Sequence, residues 1–201
     1  MEFKPDPWML TATGEQVHFF SPTPKDITII DIAWALARKA RFNGHTRSPN
    51  DDSMTRPSRS FYSIAQHSCL IYDRVEGDYP GDSRLHMQAL LHDAEEAYLP
   101  DVHTELKNYL GPFRDMANRF KAVIRERFDL GTEAAMIKHY DHRMLATERR
   151  DLMAHGDNDW RVIEDIEPFS YRIDPWDMDT AYNEFLERFR LSNFPEYWNK
   201  S

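Results

Sequence analysis

Adjacent His92 and Asp93, inside the run LHMQALLHDAEEAYLPDVHTELK, give one short stretch an imidazole and a carboxylate at once. Two further donors accompany them: His67 upstream in FYSIAQHSCL and Asp141 downstream in IKHYDHRMLATE. Two imidazoles and two carboxylates make a mixed nitrogen and oxygen set that suits octahedral Mn²⁺, Fe²⁺, Co²⁺ or Mg²⁺ and leaves two cis positions open for water and a substrate oxygen. Such an ion lowers the pKa of bound water and neutralises charge on a phosphoryl group, the two demands of phosphate-ester hydrolysis. Glu96 follows His92 by four residues and Asp93 by three, where one helical face would bring it to the same point to manage a proton, as acid or as base. Phosphate oxygens also need fixed cations, for which Arg41 and Lys107 are the candidates, and Phe42 can stack on a base or sugar.

These residues need elements to carry them. Trp8 to Phe20 reads as a short hairpin, because WML and VHFF flank the turn-prone Thr13-Gly14-Glu15. From Ile27 onward the period becomes helical through Ile32, Ala33, Leu36, Ala37 and Ala40, ending near Phe42-Asn43-Gly44. His45 to Ser60 is polar and Pro-rich and reads as a long loop. A second helix from about Ser60 to Val75 puts His67 on its apolar face with Ile64, Ile71 and Val75. A third starts near Ser83, carries His92, Asp93 and Glu96 on neighbouring positions and stops at Pro100. A fourth, about Phe113 to Phe128, is an ordinary core stripe. The fifth, about Thr132 to His155, aligns Ile137, Asp141, Met144, Glu148 and Leu152, and a last one spans Met178 to Leu191.

A carboxylate in such a stripe costs several kcal/mol, roughly, unless a cation or donors satisfy it, which favours Asp141 as a ligand. Glu148, two turns further on the same line, is expected to pair with an Arg. His139 and His142 flank Asp141 but point away from it on a helix, so outer or surface roles are expected of them; His18, His86 and His155 have no partner pattern.

The 201 residues suffice for one buried core, and no linker or repeat divides them, so a single domain with a hairpin-bearing extension over 1–26 is expected. A net charge of −9 argues against duplex DNA or RNA as a partner, and any phosphate must be met by local Arg or Lys. Cys69 is the only cysteine, which excludes an intrachain disulfide. No stretch approaches the roughly 20 apolar residues of a membrane span and the N-terminus lacks a leader-like apolar region, so a cytoplasmic protein is expected.

The order His67, His92-Asp93, Asp141, with HDAEEAYLPDVHTELK reproducing an HDxxE and a following D-x-x-T-x-x-K spacing, resembles the HD-domain phosphohydrolases, closest to their 5′-deoxynucleotidase branch. The likeness runs from Arg41 through Asp141. It implies an all-α helical bundle, here with a small N-terminal hairpin, that usually dimerises and acts on a small-molecule nucleotide. It implies one divalent ion (Co²⁺, Mn²⁺, Fe²⁺, Mg²⁺ or Zn²⁺) held by His67, His92, Asp93 and Asp141, with Glu96 as acid or base. It further implies Arg41 as a phosphate ligand, Asp101 to Thr104 around the sugar and phosphate, and Lys107 as a basic residue nearby. The chain departs from the branch at Phe42, where Trp is typical; in a longer connection to His67 that admits His45 to the pocket; and at Pro100 and His103, which replace a common Gly and Pro.

The expected activity is hydrolysis of 2′-deoxynucleoside 5′-monophosphates. Similar phage-encoded relatives remove a whole triphosphate, and Arg47, Arg56 or Arg59 of the polar loop would then reach the extra phosphates. A non-catalytic nucleotide sensor is the reading from another class. Alarmone hydrolysis is disfavoured, because those enzymes resemble HDxxED and Ala97 follows Glu96 here.

Overall fold

The computed structural model describes residues 6–47, 61–107, 109–154 and 160–192. The chain begins with the expected hairpin, β1 (Trp8–Leu10) paired antiparallel with β2 (Gln16–His18) in the register Trp8 to His18. Gly14 turns it at a φ of 93°, which a side chain would resist. Asp31 then pins the turn, accepting from the Thr13 N–H at 2.9 Å and from its hydroxyl at 2.6 Å.

The rest is helical: α1 (Ile29–Arg38), α2 (Ile64–Asp78), α3 (Ser83–Leu90), a short α4 (Thr104–Lys107), α5 (Gly111–Arg127), α6 (Ala135–Leu152) and α7 (Met178–Leu191). Side chains set several of the starts. Thr28, Ser63, Asp82 and Asp177 each accept a backbone N–H of the first turn, at 3.0, 3.1, 3.0 and 2.7 Å, which is worth about 1 kcal/mol per cap.

Helix α2 is central. It packs against α1, α3, α6 and α7, which is why Ile64, Ala65, His67, Ser68, Ile71 and Val75 are fully buried. The C-terminal tract covers the bundle: α7 lies on α1 and α2 through buried Ala181, Phe185 and Phe189, and Arg188 forks onto Asp73 at 2.7 and 2.8 Å. Burying each Phe ring contributes about 2–3 kcal/mol. The segment before α7 is held by polar straps: Gln66 bonds the Asp174 carbonyl and the Trp176 N–H, and Asp151 at the end of α6 accepts from the Ile173 N–H at 3.0 Å. Among the described residues no helix is long and apolar enough to cross a membrane.

One expected element is wrong in a way that matters. The third helix does not run on through Glu96; α3 ends at Leu90, and a 3-10 turn follows over Ala94–Ala97. Consecutive residues of an α-helix point about 100° apart, which splays their side chains. Leaving the helix lets His92 and Asp93 converge. Lys39, just past α1, holds the end of that turn by donating its ammonium to the carbonyls of Glu96, Ala97 and Leu99. The second and fifth helices are also offset, covering Ile64–Asp78 and Ala135–Leu152, and His155 and most of the polar loop, including Arg56 and Arg59, lie outside the described residues.

Candidate metal centre

Four elements deliver the site. Helix α2 brings His67, the turn after α3 brings His92 and Asp93, α6 brings Asp141 and Glu148, and the segment after α1 brings Arg41. Arg41 owes its position to a small antiparallel bridge between Ala40 and Ser63, in which its N–H bonds the Tyr62 carbonyl at 2.9 Å and the Ile64 N–H bonds the Lys39 carbonyl at 3.1 Å. The chain then turns through Phe42 and Asn43, both with φ near +50° (53° and 51°). Left-handed backbone at a Phe carries strain, of order 1–3 kcal/mol, which marks a turn dictated by its surroundings.

The four expected ligands meet. His67 Nε2 lies 3.2 Å from His92 Nε2, 3.3 Å from Asp141 Oδ1 and 3.9 Å from Asp93 Oδ2. His92 Nε2 lies 3.3 Å from Asp93 Oδ2 and 4.0 Å from Asp141 Oδ1. Ligands about 2.1 Å from an octahedral ion stand about 3.0 Å apart when adjacent and about 4.2 Å when opposite. The observed spacings fall in that range. His67, His92 and Asp93 are the mutually close trio, and Asp141 joins through its approach to both imidazoles.

The imidazole orientations are fixed from behind. His67 Nδ1 is 2.6 Å from the Glu148 carboxylate, and His92 Nδ1 is 2.8 Å from the Ala89 carbonyl. Both partners only accept, so both Nδ1 atoms donate, and each ring presents an Nε2 lone pair to the other. Two lone pairs at 3.2 Å repel unless a proton or a cation lies between them. Burial alone would lower the His92 pKa, but Asp93 and Asp141 raise it to about 9. Burial likewise opposes ionisation of the carboxylates, yet His67 and His92 hold Asp141 near 2, and His92 holds Asp93 well below the usual range. The donor set therefore fits a divalent ion.

Glu148 does more than pair with an Arg. Fully buried, it accepts from Arg41 Nε at 3.0 and 3.1 Å, from His67 Nδ1 at 2.6 Å and from the Tyr62 hydroxyl at 2.9 Å. Burial would raise its pKa, but Arg41 and His67 keep it depressed. Arg41 itself stands over the two carboxylates, with terminal nitrogens 3.6 Å from Asp93 and 3.9 Å from Asp141. Those separations are ion pairs, too long for hydrogen bonds.

Glu96 is buried in the turn beside the site, with Oε1 accepting from Lys107 Nζ at 3.1 Å and Oε2 lacking a hydrogen-bond partner among the described residues. Burial, reinforced by Asp93, Asp101 and Glu95, lifts its pKa to about 8 against the pull of Lys107. Lys107, expected to face phosphate, is thus engaged with the acid. Glu95 pairs with Lys121 on α5 at 3.1 Å, which fixes the turn from the opposite side.

The remaining candidates divide. Phe42 is half-buried with its ring 6.2 Å from Trp160, Asp101 is half-buried and acts on Glu96 through its charge, and Thr104 opens α4 with a side chain outside the described residues. His45 is exposed, and among the described residues no hydrogen bond or ion pair joins it to the ligand cluster. The Arg47 backbone N–H bonds the Leu152 carbonyl at 2.8 Å. His139 is exposed and His142 half-buried, in keeping with outer roles. Sequence reasoning missed Tyr62, Lys39 and the contact of Glu148 with His67; only the alignment of Glu148 with Asp141 hinted at the last.

Two known proteins are similar to the chain. It is 34% identical over 181 residues to the uncharacterized protein YfdR of Escherichia coli, a match spanning 89% of this chain and 92% of that protein. It is 35% identical over 125 residues to an uncharacterized protein of Rhodobacter capsulatus, spanning 61% of this chain and 59% of the other. No family model matches the chain.

Proposed function

The chain belongs to the family of Escherichia coli YfdR, and we propose that it is a metal-dependent phosphohydrolase of the HD type, converting 2′-deoxynucleoside 5′-monophosphates to deoxynucleoside and phosphate. The observation that carries the metal dependence is the pair of Nε2 atoms 3.2 Å apart, each ring held with its Nδ1 donating to a buried acceptor. His67, His92, Asp93 and Asp141 would hold the ion, which when bound supplies a water of lowered pKa and neutralises phosphoryl charge.

The protein's own groups complete the reaction. Arg41 presents a guanidinium beside the ligand carboxylates, where it would take phosphoryl oxygens. Glu96, with its pKa raised to about 8, holds a proton at neutral pH and would pass it to the leaving 5′-oxygen as the P–O bond breaks and water supplies the new one. Lys107 steadies the Glu96 carboxyl at 3.1 Å. The nucleotide substrate rests on the resemblance of the HDxxE and D-x-x-T-x-x-K spacing, and Phe42 beside Arg41 would contact the sugar or base.

The test is incubation of metal-free protein with Co²⁺ or Mn²⁺ and a panel of deoxynucleoside monophosphates, ribonucleoside monophosphates and deoxynucleoside triphosphates, with products resolved by ion-exchange chromatography. Nucleoside and orthophosphate from the deoxy monophosphates are expected. Tripolyphosphate from the triphosphates would replace the monophosphate reading, and no turnover with any ion would favour a sensor.

A further inference from the structure

One buried carboxylate, Glu148, is shared between the metal centre and the cation beside it. It is bonded to His67, an expected ligand, through Nδ1 at 2.6 Å, and to Arg41 through Nε at 3.0 and 3.1 Å. The Arg41 side chain is 12% exposed and Glu148 fully buried, so solvent screens neither strongly. We propose that Glu148 is a positioning residue that couples occupancy of the metal centre to binding of phosphate by Arg41. The inference rests on the metal-dependent phosphohydrolase reading of the site.

The geometry supplies the route. Arg41 neutralises part of the charge on Asp93 and Asp141, across 3.6 and 3.9 Å. A divalent ion held by those carboxylates would take over that charge and leave the terminal nitrogens of Arg41 without counter-ions. Glu148 would keep the guanidinium where it is, because it holds Nε while the two terminal nitrogens reach toward Asp93 and Asp141. Those nitrogens would then be available to a phosphate dianion. The same carboxylate orients the His67 ring and makes its Nε2 a stronger donor to a metal, a role for which outer carboxylates commonly account for 10–100-fold in affinity, roughly. By reciprocity phosphate should tighten the ion as much as the ion tightens phosphate.

Calorimetric titration of the full chain separates the parts, with Mn²⁺ added in the absence and presence of inorganic phosphate, and phosphate added to Mn²⁺-loaded and ion-free protein. In the wild type, phosphate should bind about tenfold or more tightly when Mn²⁺ is present. Glu148→Gln should weaken Mn²⁺ by about 10–100-fold and bring the mutual effect of the two ligands close to none. Arg41→Lys keeps a charge without the Nε–H that bonds Glu148, and should retain Mn²⁺ affinity within about threefold while losing the phosphate gain. Glu148→Asp, which keeps the charge but shortens its reach, should restore Mn²⁺ affinity in part and coupling less. Thermal melts confirm that each variant folds, and Arg41→Lys decides the matter if Glu148→Gln does not. Coupling that survives in Arg41→Lys or Glu148→Gln, or a loaded wild type that gains no phosphate affinity, overturns the inference alone. A wild type that binds no divalent ion overturns the metal reading and the inference with it.

Discussion

A divalent ion at this site should stabilise the fold, and the size of the effect follows from what it joins. Its ligands come from α2, from the turn after α3 and from α6, elements separated by up to 74 residues from His67 to Asp141, so the unfolded chain offers no preformed site. Binding to the native state alone adds RT ln(1 + [L]/Kd), about 2.7 kcal/mol at an ion concentration 100 times Kd. For a chain of this length each kcal/mol moves the melting temperature by about 2–4 °C. A rise of about 5–11 °C between chelator and saturating Mn²⁺ is expected, read by circular dichroism or calorimetry. His67→Ala, His92→Ala and Asp93→Ala should abolish the rise, and Asp141→Ala should reduce or abolish it. His139→Ala and His142→Ala, beside Asp141 on the same helix, should leave it intact. Equal melting temperatures with chelator and with Mn²⁺, Co²⁺, Fe²⁺, Mg²⁺ and Zn²⁺ in turn would refute the reasoning, as would a rise that persists without His67 and His92.

Glu96→Gln should lower kcat by about 10²–10⁴-fold while leaving Mn²⁺ affinity within a few-fold, measured by steady-state kinetics beside calorimetry. Lys39→Met removes the donor to three carbonyls of the turn; a loss of about 1–3 kcal/mol in denaturant unfolding, with weaker Mn²⁺ binding, is expected because that turn carries His92 and Asp93. Asp151 supplies a pH signature remote from the ligands. Burial would raise its carboxyl, but Arg150, the Ile173 N–H and Arg172 hold it below 3.8. A group depressed in the folded state stabilises at pH above its unfolded value and loses that contribution as pH falls through the folded one. Stability from Asp151 should therefore be complete above about pH 5 and decline below about pH 4. Asp151→Asn should flatten that acid limb in denaturant unfolding followed as a function of pH.

Much of the site is legible in the amino-acid sequence. Apolar periodicity places His67 and Asp141 on inward faces of α2 and α6, because burial of a helical face imposes the 3.6-residue repeat on the sequence itself. The hairpin and the last helix are legible in the same way, from their own apolar patterns, and adjacency in the chain alone reveals the His92-Asp93 pair. What periodicity reports is which face is buried, never against what.

The partners of Glu148 lie 81 residues away at His67 and 107 away at Arg41, and no local pattern encodes them. Arg41 arrives through the Ala40 to Ser63 bridge and the left-handed turn at Phe42 and Asn43, a backbone state that intrinsic preference disfavours. The end of α3 is the sharpest case. LHMQALLHDAEEAYL favours a helix locally, yet α3 stops at Leu90, and a distant side chain, Lys39, holds the carbonyls of Ala97 and Leu99 at the end of the turn that follows. Composition and spacing determined which donors the protein carries and which helical faces bury them. Tertiary packing decided where the third helix breaks and which carboxylate stands behind which imidazole, since contacts between distant segments outweigh the fraction of a kcal/mol, roughly, that separates one local conformation from another.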